Sequence, residues 1–387
     1  MTLTIVGLGP GDINDLTRRA WQTLSRASIV YLRTKHHPCV PHLPQSPTYH
    51  SFDDLYDTLD TFEAVYETIA TRLIEAAQQG DVVYCVPGDP LVGESTVVKL
   101  RAIAPEAGVN LQLVHGLSFV EPTLGLLGYD ILDGLQVFDG LLLASRHHPP
   151  INPDFPALLG QVYSRDVASD IKLTLMNEYP DEHPVQLIHG AGTEAARVEH
   201  LALYEIDRSP HISHLTSLFV PPLGDMAGFQ QLQEIVAHLR APEGCPWDRE
   251  QTHQSLRPFL IEEAYEVLET IDDDDPAHLA EELGDLLLQV VLHVQIAIDE
   301  GEFYMSDVLR HISHKMVRRH PHVWGDVDVQ GDPQKVLSNW EDIKQAEKAE
   351  NGQEQRSILD GIPRHLPSLL VAMKYQDKAA KLGFDWP

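Results

Sequence analysis

Hydrophobic and polar positions change rhythm partway along the chain. Up to about residue 222, short β-rich runs alternate with helical periods. Leu3–Val6, Ser28–Leu32, Val82–Val86 and Leu111–Val114 predict strands, and Asp15–Ala27, Thr58–Gln79 and Ser95–Ile103 predict the helices between them. Such alternation implies a mostly parallel sheet covered by helices. Apolar runs at 141–144, 171–176, 185–188 and 218–220 predict a second α/β subdomain, which the Pro221-Pro222-Leu223-Gly224 linker closes. Beyond it the apolar positions recur at helical spacing. Helices are expected over 226–240, 259–271, 277–300, 305–320, 333–350 and 368–382, with no strand. The expected architecture is therefore multi-domain: an α/β module of two subdomains over 1–222, then an all-α bundle over 223–387.

Composition changes this picture in one respect. The 387 residues carry 28 Lys+Arg against 58 Asp+Glu, a formal net charge of −30. The excess is spread evenly, with 13 basic and 27 acidic residues in 1–223 and 15 and 31 in 224–387. A field of this sign argues against binding a nucleic-acid backbone, where affinity comes from cations that neutralise phosphates. The surplus of carboxylates points toward divalent cations. Cys39, Cys85 and Cys245 form neither a disulfide framework nor a CxxC pattern, as expected of a reduced, cytoplasmic setting. No signal peptide is read at Met1, and the most apolar stretch, 286–298, is too short and too polar to span a bilayer.

The strongest chemical signal is a set of acids. Glu263 and Glu266 are spaced i, i+3, as are Glu282 and Asp285, so each pair shares a helix face. An amphipathic surface helix would give the same first pair. The second lies on a segment whose apolar residues, from Leu283 to Ile298, wrap most of the helix, which predicts burial. No Lys or Arg occurs between Arg257 and Arg310 to pair with these acids. A divalent cation held by an all-oxygen set, Mg²⁺ or Mn²⁺, is the preferred reading over a solvated acidic face. The run Asp272–Asp275 is expected to be a solvated loop and helix N-cap. Lys315, Arg318 and Arg319, spaced i, i+3, i+4, and Lys344 are candidate phosphate-binding cations or a solvated basic face. Trp247 is open either to stacking on a base or, by default, to core packing.

These segments resemble the MazG family of all-α nucleoside triphosphate pyrophosphohydrolases. The resemblance rests on Gly244-Cys245-Pro246-Trp247-Asp248-Arg249-Glu250-Gln251-Thr252, the EExxE segment at 262–266, Glu282-Leu283-Gly284-Asp285 and Arg318-Arg319-His320-Pro321-His322-Val323-Trp324. It covers about 224–387 and implies hydrolysis of nucleoside triphosphates to monophosphate and pyrophosphate. It makes Glu263, Glu266, Glu282 and Asp285 metal ligands, with Glu262 supporting them or orienting water. The segment Gly383-Phe384-Asp385-Trp386, after which many members begin a second helical unit, raises the expectation of a further unit absent here.

The first half has its own motif set. Gly7-Leu8-Gly9-Pro10-Gly11-Asp12 follows the first strand, Pro87-Gly88-Asp89-Pro90 the Val82–Val86 strand, and His115-Gly116-Leu117-Ser118 the Leu111–Val114 strand. Neither a P-loop nor a GxGxxG fingerprint fits, and a tight strand–helix connection is the plain reading of any one turn. Three such turns at the carboxyl ends of parallel strands nonetheless converge on the edge where α/β proteins bind ligands. Together they resemble the tetrapyrrole (corrin/porphyrin) methylases over about 1–222. That resemblance implies an S-adenosylmethionine site between the subdomains touching Gly88, Asp89 and neighbouring turn residues. The His36-His37 and His147-His148 pairs adjoin prolines and are expected in surface loops. The expected protein is a Mg²⁺-dependent nucleotide pyrophosphohydrolase, a homo-oligomer (dimer) with a small-molecule nucleotide substrate, and with neither nucleic-acid nor membrane partner. The alternative is a methyltransferase whose helical half serves oligomerisation or nucleotide sensing.

Overall fold

The computed structural model describes residues 1–224, 226–350, 361–363, 366–380 and 383–384. The Asp385-Trp386 end of the terminal motif lies outside these residues. The chain divides into two compact units, Met1–Glu234 and Ile235–Pro387.

The first unit opens with strands β1 (Thr2–Gly7), β2 (Ile29–Leu32), β3 (Thr48–Ser51), β4 (Val82–Val86) and β5 (Asn110–Val114). They form one all-parallel sheet in the order β3-β2-β4-β1-β5. All five residues of β4 are buried, as befits an uninterrupted apolar strand covered on both faces. Helices α1 (Arg18–Arg26), α2 (Asp53–Thr58), α3 (Phe62–Gln79), α4 (Ser95–Ile103) and α5 (Val120–Leu127) supply the crossovers and cover. Ile69, Leu73 and Leu100 pack on Leu3, Ile5 and Tyr84 of the sheet. The helix expected from Thr58 is divided, because the Thr61 side chain accepts the Ala64 N–H at 3.2 Å and starts α3 afresh.

The second subdomain holds α6 (Gly140–Ala144), α7 (Arg165–Leu175) and a sheet of β6 (Gln136–Asp139), β7 (Ala157–Gly160), β8 (Pro184–His189), β9 (Arg197–Ala202) and β10 (Thr216–Val220). Its order is β6-β7-β10-β8-β9, with only β6 and β7 parallel. Two of the four apolar runs are strands. The runs at 141–144 and 171–176 fall in α6 and, up to Leu175, in α7, and Asp139 caps α6 by accepting the Leu141 N–H.

The chain continues in α8 (Phe229–Arg240), which carries the boundary between the units, then α9 (Pro246–Glu250), α10 (Arg257–Asp272), α11 (Pro276–Glu300), α12 (Met305–Arg319), α13 (Pro321–Trp324), α14 (Pro333–Glu350) and α15 (Ser368–Ala380). Among the described residues this part has helices and connecting turns but no strand. The helix α10 packs along α11 as a hairpin joined at Asp273–Asp275. Asp275 caps α11, its carboxylate accepting from Ala277 and His278 N–H. One expectation is corrected here. The apolar girth of α11 is not buried throughout: Val291, Leu292, Val294, Ile296 and Ala297 are, whereas Leu283, Leu287 and Val290 of its first half are exposed. No helix among the described residues is long and apolar enough to cross a membrane.

Candidate functional site

The hairpin of α10 and α11 brings acids of both helices together. Oxygens of Glu263, Glu266 and Glu282 lie within 4.8 Å of one another. Asp285 is not part of that close group, yet its charge reaches Glu263. Partial burial, then Asp285, Glu266 and Glu282, push the Glu263 carboxyl above its ordinary pKa. His278 Nε2 stands 2.9 Å from Glu282 Oε1. Glu262 faces solvent outside the group. Contrary to the expected burial, Glu266 and Asp285 are exposed. What marks the group is mutual repulsion among acids held close together. All-oxygen donors, with open sides for water, fit a hard divalent ion.

The basic residues are arranged otherwise than their spacing alone conveys. Lys315 is exposed on α12. Arg319 is buried, with Nε and Nη2 donating to the Glu347 carboxylate of α14. Arg318 Nη2 is 2.7 Å from the same carboxylate, which the two guanidinium groups hold down at a pKa of about 2. Arg319 and Lys344 both lie against Trp340, at 5.0 and 5.2 Å from the ring centroid. Lys315, Arg318 and Arg319 therefore share no open anion site in this state; two of them converge on Glu347. Trp247 is no core residue: it is 52% exposed, edge-on to Phe259.

In the first unit the three glycine turns do meet. Gly9 (φ +77°) and Gly88 (φ +65°) exchange backbone hydrogen bonds, Gly9 N–H to Gly88 O at 3.2 Å and Gly88 N–H to Gly9 O at 2.8 Å. Gly7 and Gly116 are pressed so closely against Gly88 that a Cβ on either would run into its carbonyl. Pro90 closes on Gly7, and Gly11 lies against Gly192 and Thr193. Asp89 ties the second turn to the third: its carboxylate accepts from Leu91 N–H (2.8 Å) and Gly116 N–H (3.2 Å) and meets His115 Nδ1 at 2.9 Å. Ser118 donates through N–H and Oγ to Glu121.

Beside these turns lies a cavity of about 710 Å³, lined by residues of both subdomains, from Pro10, Gly88 and Asp89 to Gln161, Tyr163 and Thr216. Pro87 and Ser118 are also on its wall. Gly7, Gly9, Gly11, Pro90 and Gly116 are not, and form the close packing behind it. The volume suits a ligand of cofactor size. The sequence reading missed the far end of this cavity. There Arg33 pairs with Glu94, donates to the Tyr56 hydroxyl at 3.0 Å and lies over Tyr66. Burial pushes the Glu94 carboxyl up to about 7 against the pull of Arg33. The signal was available, because Arg33 directly follows β2 on the same sheet edge as the turns. His37 is corrected from surface loop to cavity wall: it is buried, with Nδ1 3.1 Å from Cys39 Sγ. His148 stays on the surface beside Glu178.

Comparison with known proteins divides the chain similarly. The model of the Tetrapyrrole (Corrin/Porphyrin) Methylases matches residues 2–207, and that of the MazG nucleotide pyrophosphohydrolase domain matches residues 251–324. The Bacillus subtilis (strain 168) "Uncharacterized protein YabN" is 45% identical over 384 residues, 97% of this chain and 76% of its own length. The Thermotoga maritima "Nucleoside triphosphate pyrophosphohydrolase/pyrophosphatase MazG" is 48% identical over 158 residues, 41% of this chain and 59% of its own. The Escherichia coli (strain K12) "Nucleoside triphosphate pyrophosphohydrolase" is 47% identical over 162 residues, 42% of this chain and 60% of its own. This chain thus spans about 60% of the length of the latter two.

Proposed function

The chain belongs to the tetrapyrrole methylase family, with a MazG nucleotide pyrophosphohydrolase domain fused behind it, and on that premise we propose that its helical part hydrolyses nucleoside triphosphates to nucleoside monophosphate and pyrophosphate. It is an enzyme of the hydrolase class. The observation that carries the reading is the meeting of Glu263, Glu266 and Glu282 from two helices, with Asp285 beside them and no Lys or Arg in the sequence from 258 to 309.

These four acids would hold Mg²⁺ or Mn²⁺, which supplies charge neutralisation at the phosphate oxygens and acidifies water. The acids of α10 orient water on the α-phosphorus. Glu262, on the adjacent exposed face, is the supporting residue that accepts its proton. The new bond joins the water oxygen to the α-phosphorus. The bond that breaks joins that phosphorus to the oxygen bridging to the β-phosphate, and pyrophosphate leaves with the electron pair. Lys315, Arg318, Arg319 and Lys344 bind the triphosphate, Arg318 and Arg319 by exchanging Glu347 for phosphate oxygens. Trp247 and its edge partner Phe259 offer an exposed face to the base.

The first half, taken as 1–222 ahead of a hydrolase domain at 223–387, binds S-adenosylmethionine in the cavity between its own two subdomains. The glycine packing fits this role, since a Cβ at Gly7 or Gly116 would push the Gly88–Asp89 turn into the space. The unpaired thiols Cys39, Cys85 and Cys245 favour a cytoplasmic setting.

The test is product analysis with each nucleoside triphosphate and Mg²⁺ in ¹⁸O-water. Monophosphate and pyrophosphate in equal amounts, with label in the monophosphate, support the reading; release of inorganic phosphate or label in pyrophosphate contradicts it. Titration with S-adenosylmethionine, monitored by calorimetry, tests the first half; absence of heat with Gly88 and Asp89 intact removes that assignment.

A further inference from the structure

A second cluster of ligating groups lies at the opposite end of the α10–α11 hairpin from the acids. The helix α11 ends in a left-handed cap at Gly301 (φ +72°), whose N–H donates to Ile298 O at 3.1 Å while Glu302 N–H donates to Ala297 O at 2.8 Å. This cap sets Glu300 and Glu302 on the two sides of one turn. His253, in the segment ahead of α10, lies against them. One ligand atom from each of His253, Glu300 and Glu302 falls within 4.8 Å of the others.

The histidine is already oriented. Its Nδ1 is 2.8 Å from Nδ1 of His293, with the rings near parallel at 17°. Two imidazole nitrogens at that distance share one proton, so one ring donates and the other accepts. With His253 Nδ1–H donating to His293, the His253 Nε2 lone pair is left facing two carboxylates. Nε2 stands 3.9 Å from Glu302 Oε2, beyond hydrogen-bond reach. A tetrahedral ion with bonds of about 2.0–2.2 Å holds its ligand atoms roughly 3.3–3.5 Å apart, so this pair would close by about half an ångström around it. The negative end of the α11 dipole also faces this cluster. The nearby Arg240 is committed elsewhere, donating to Asp299 and to the carbonyls of Asp248 and Gln251.

We propose that His253, Glu300 and Glu302 form a second metal site, for a transition ion such as Zn²⁺, with His293 fixing the ring of His253. Its mixed nitrogen and oxygen donors set it apart from the all-oxygen group that suits Mg²⁺. An ion here fastens the segment before α10 to the end of α11 and so closes the open end of the hairpin that carries the acids.

Co²⁺ is the spectroscopic stand-in. The full chain, stripped with a chelator and kept in excess Mg²⁺, is titrated with Co²⁺ while visible absorption is recorded. One equivalent per chain is expected, displaced by Zn²⁺ and retained in a Glu263→Gln/Glu266→Gln double variant. His253→Ala and Glu302→Gln abolish the tight site, and His293→Ala weakens it by roughly 10–100-fold, the usual effect of losing a group that orients a ligand. Glu302 is exposed, so its variant carries the test should His253→Ala fail to fold. Absorption unchanged in both His253→Ala and Glu302→Gln, loss of binding in the Glu263/Glu266 variant, or displacement by Mg²⁺ overturns the proposal.

Discussion

Glu263 carries the electrostatic cost of the acid group. Like Glu282 it is half withdrawn from solvent, and partial burial with three like charges raises its pKa. A like-charge neighbour on a helix costs roughly 0.2–0.5 kcal/mol. Glu263→Gln should therefore stabilise the metal-free protein by about 1 kcal/mol while abolishing the rise in Tm that Mg²⁺ produces. Thermal unfolding with chelator and with Mg²⁺ checks both; a lower Tm in chelator counts against the repulsion. His37 makes the opposite kind of prediction. Burial lowers its pKa from the ordinary 6.5 to about 4. Between these values the unfolded chain binds the proton and the folded chain does not. Stability is thus full above pH 6.5 and falls as the pH drops to 4, by up to about 3 kcal/mol. His37→Gln should flatten this slope in denaturant titrations taken at several pH values. At this scale the sequence was partly legible. The i, i+3 acids could be read because helix geometry alone makes them neighbours. The partner of Arg319 could not, since Glu347 lies 28 residues on and is delivered by packing of α14 against α12.

Among the elements, α10 and α11 have more apolar surface than their own unit covers. Ile261, Leu268 and Ile271 of α10 are 53–54% exposed, and Leu283, Leu287 and Val290 of α11 are 38–48% exposed. Residues spread over one stripe of each helix, rather than scattered singly, mark a face that pairs. A second copy of the chain is the occupant that the expected homodimer would supply, since a two-fold interface needs one self-complementary patch. With a homodimer formed through this face, Leu268→Glu/Ile271→Glu should give monomer in light scattering, with helix content kept; a mass unchanged from the starting protein contradicts it. This exposure also explains why the predicted burial of the first half of α11 failed. An apolar girth specifies burial, but not whether the same chain provides the cover. Strand β4 shows the reverse, since its five buried residues and following Gly-Asp turn were legible because both sheet faces are covered within the unit. The run at 141–144 predicted only part of an α/β subdomain; the capping Asp139 is what makes it helix rather than strand.

At the scale of the whole molecule, the −30 charge divides into a small part assigned to the two proposed metal sites and a large remainder. Glu263, Glu266, Glu282 and Asp285 account for four of the 58 acids, and Glu300 and Glu302 for two more. The change of hydrophobic rhythm near residue 222 was enough to separate the α/β half from the helical half, while the compact units part between Glu234 and Ile235, inside α8. Each half then presents its own site: a glycine-packed cavity in one and an acid-lined helix pair in the other. The central claim is that the acid-lined pair is a hydrolytic centre. Its most direct measurement is pyrophosphate release by the full chain with nucleoside triphosphate and Mg²⁺, compared with Glu263→Gln and Asp285→Asn. The account predicts release that needs Mg²⁺ and falls by at least ~100-fold in either variant, on the order of 3 kcal/mol of transition-state stabilisation. No release from the unaltered chain, or release unchanged in both variants, would contradict it.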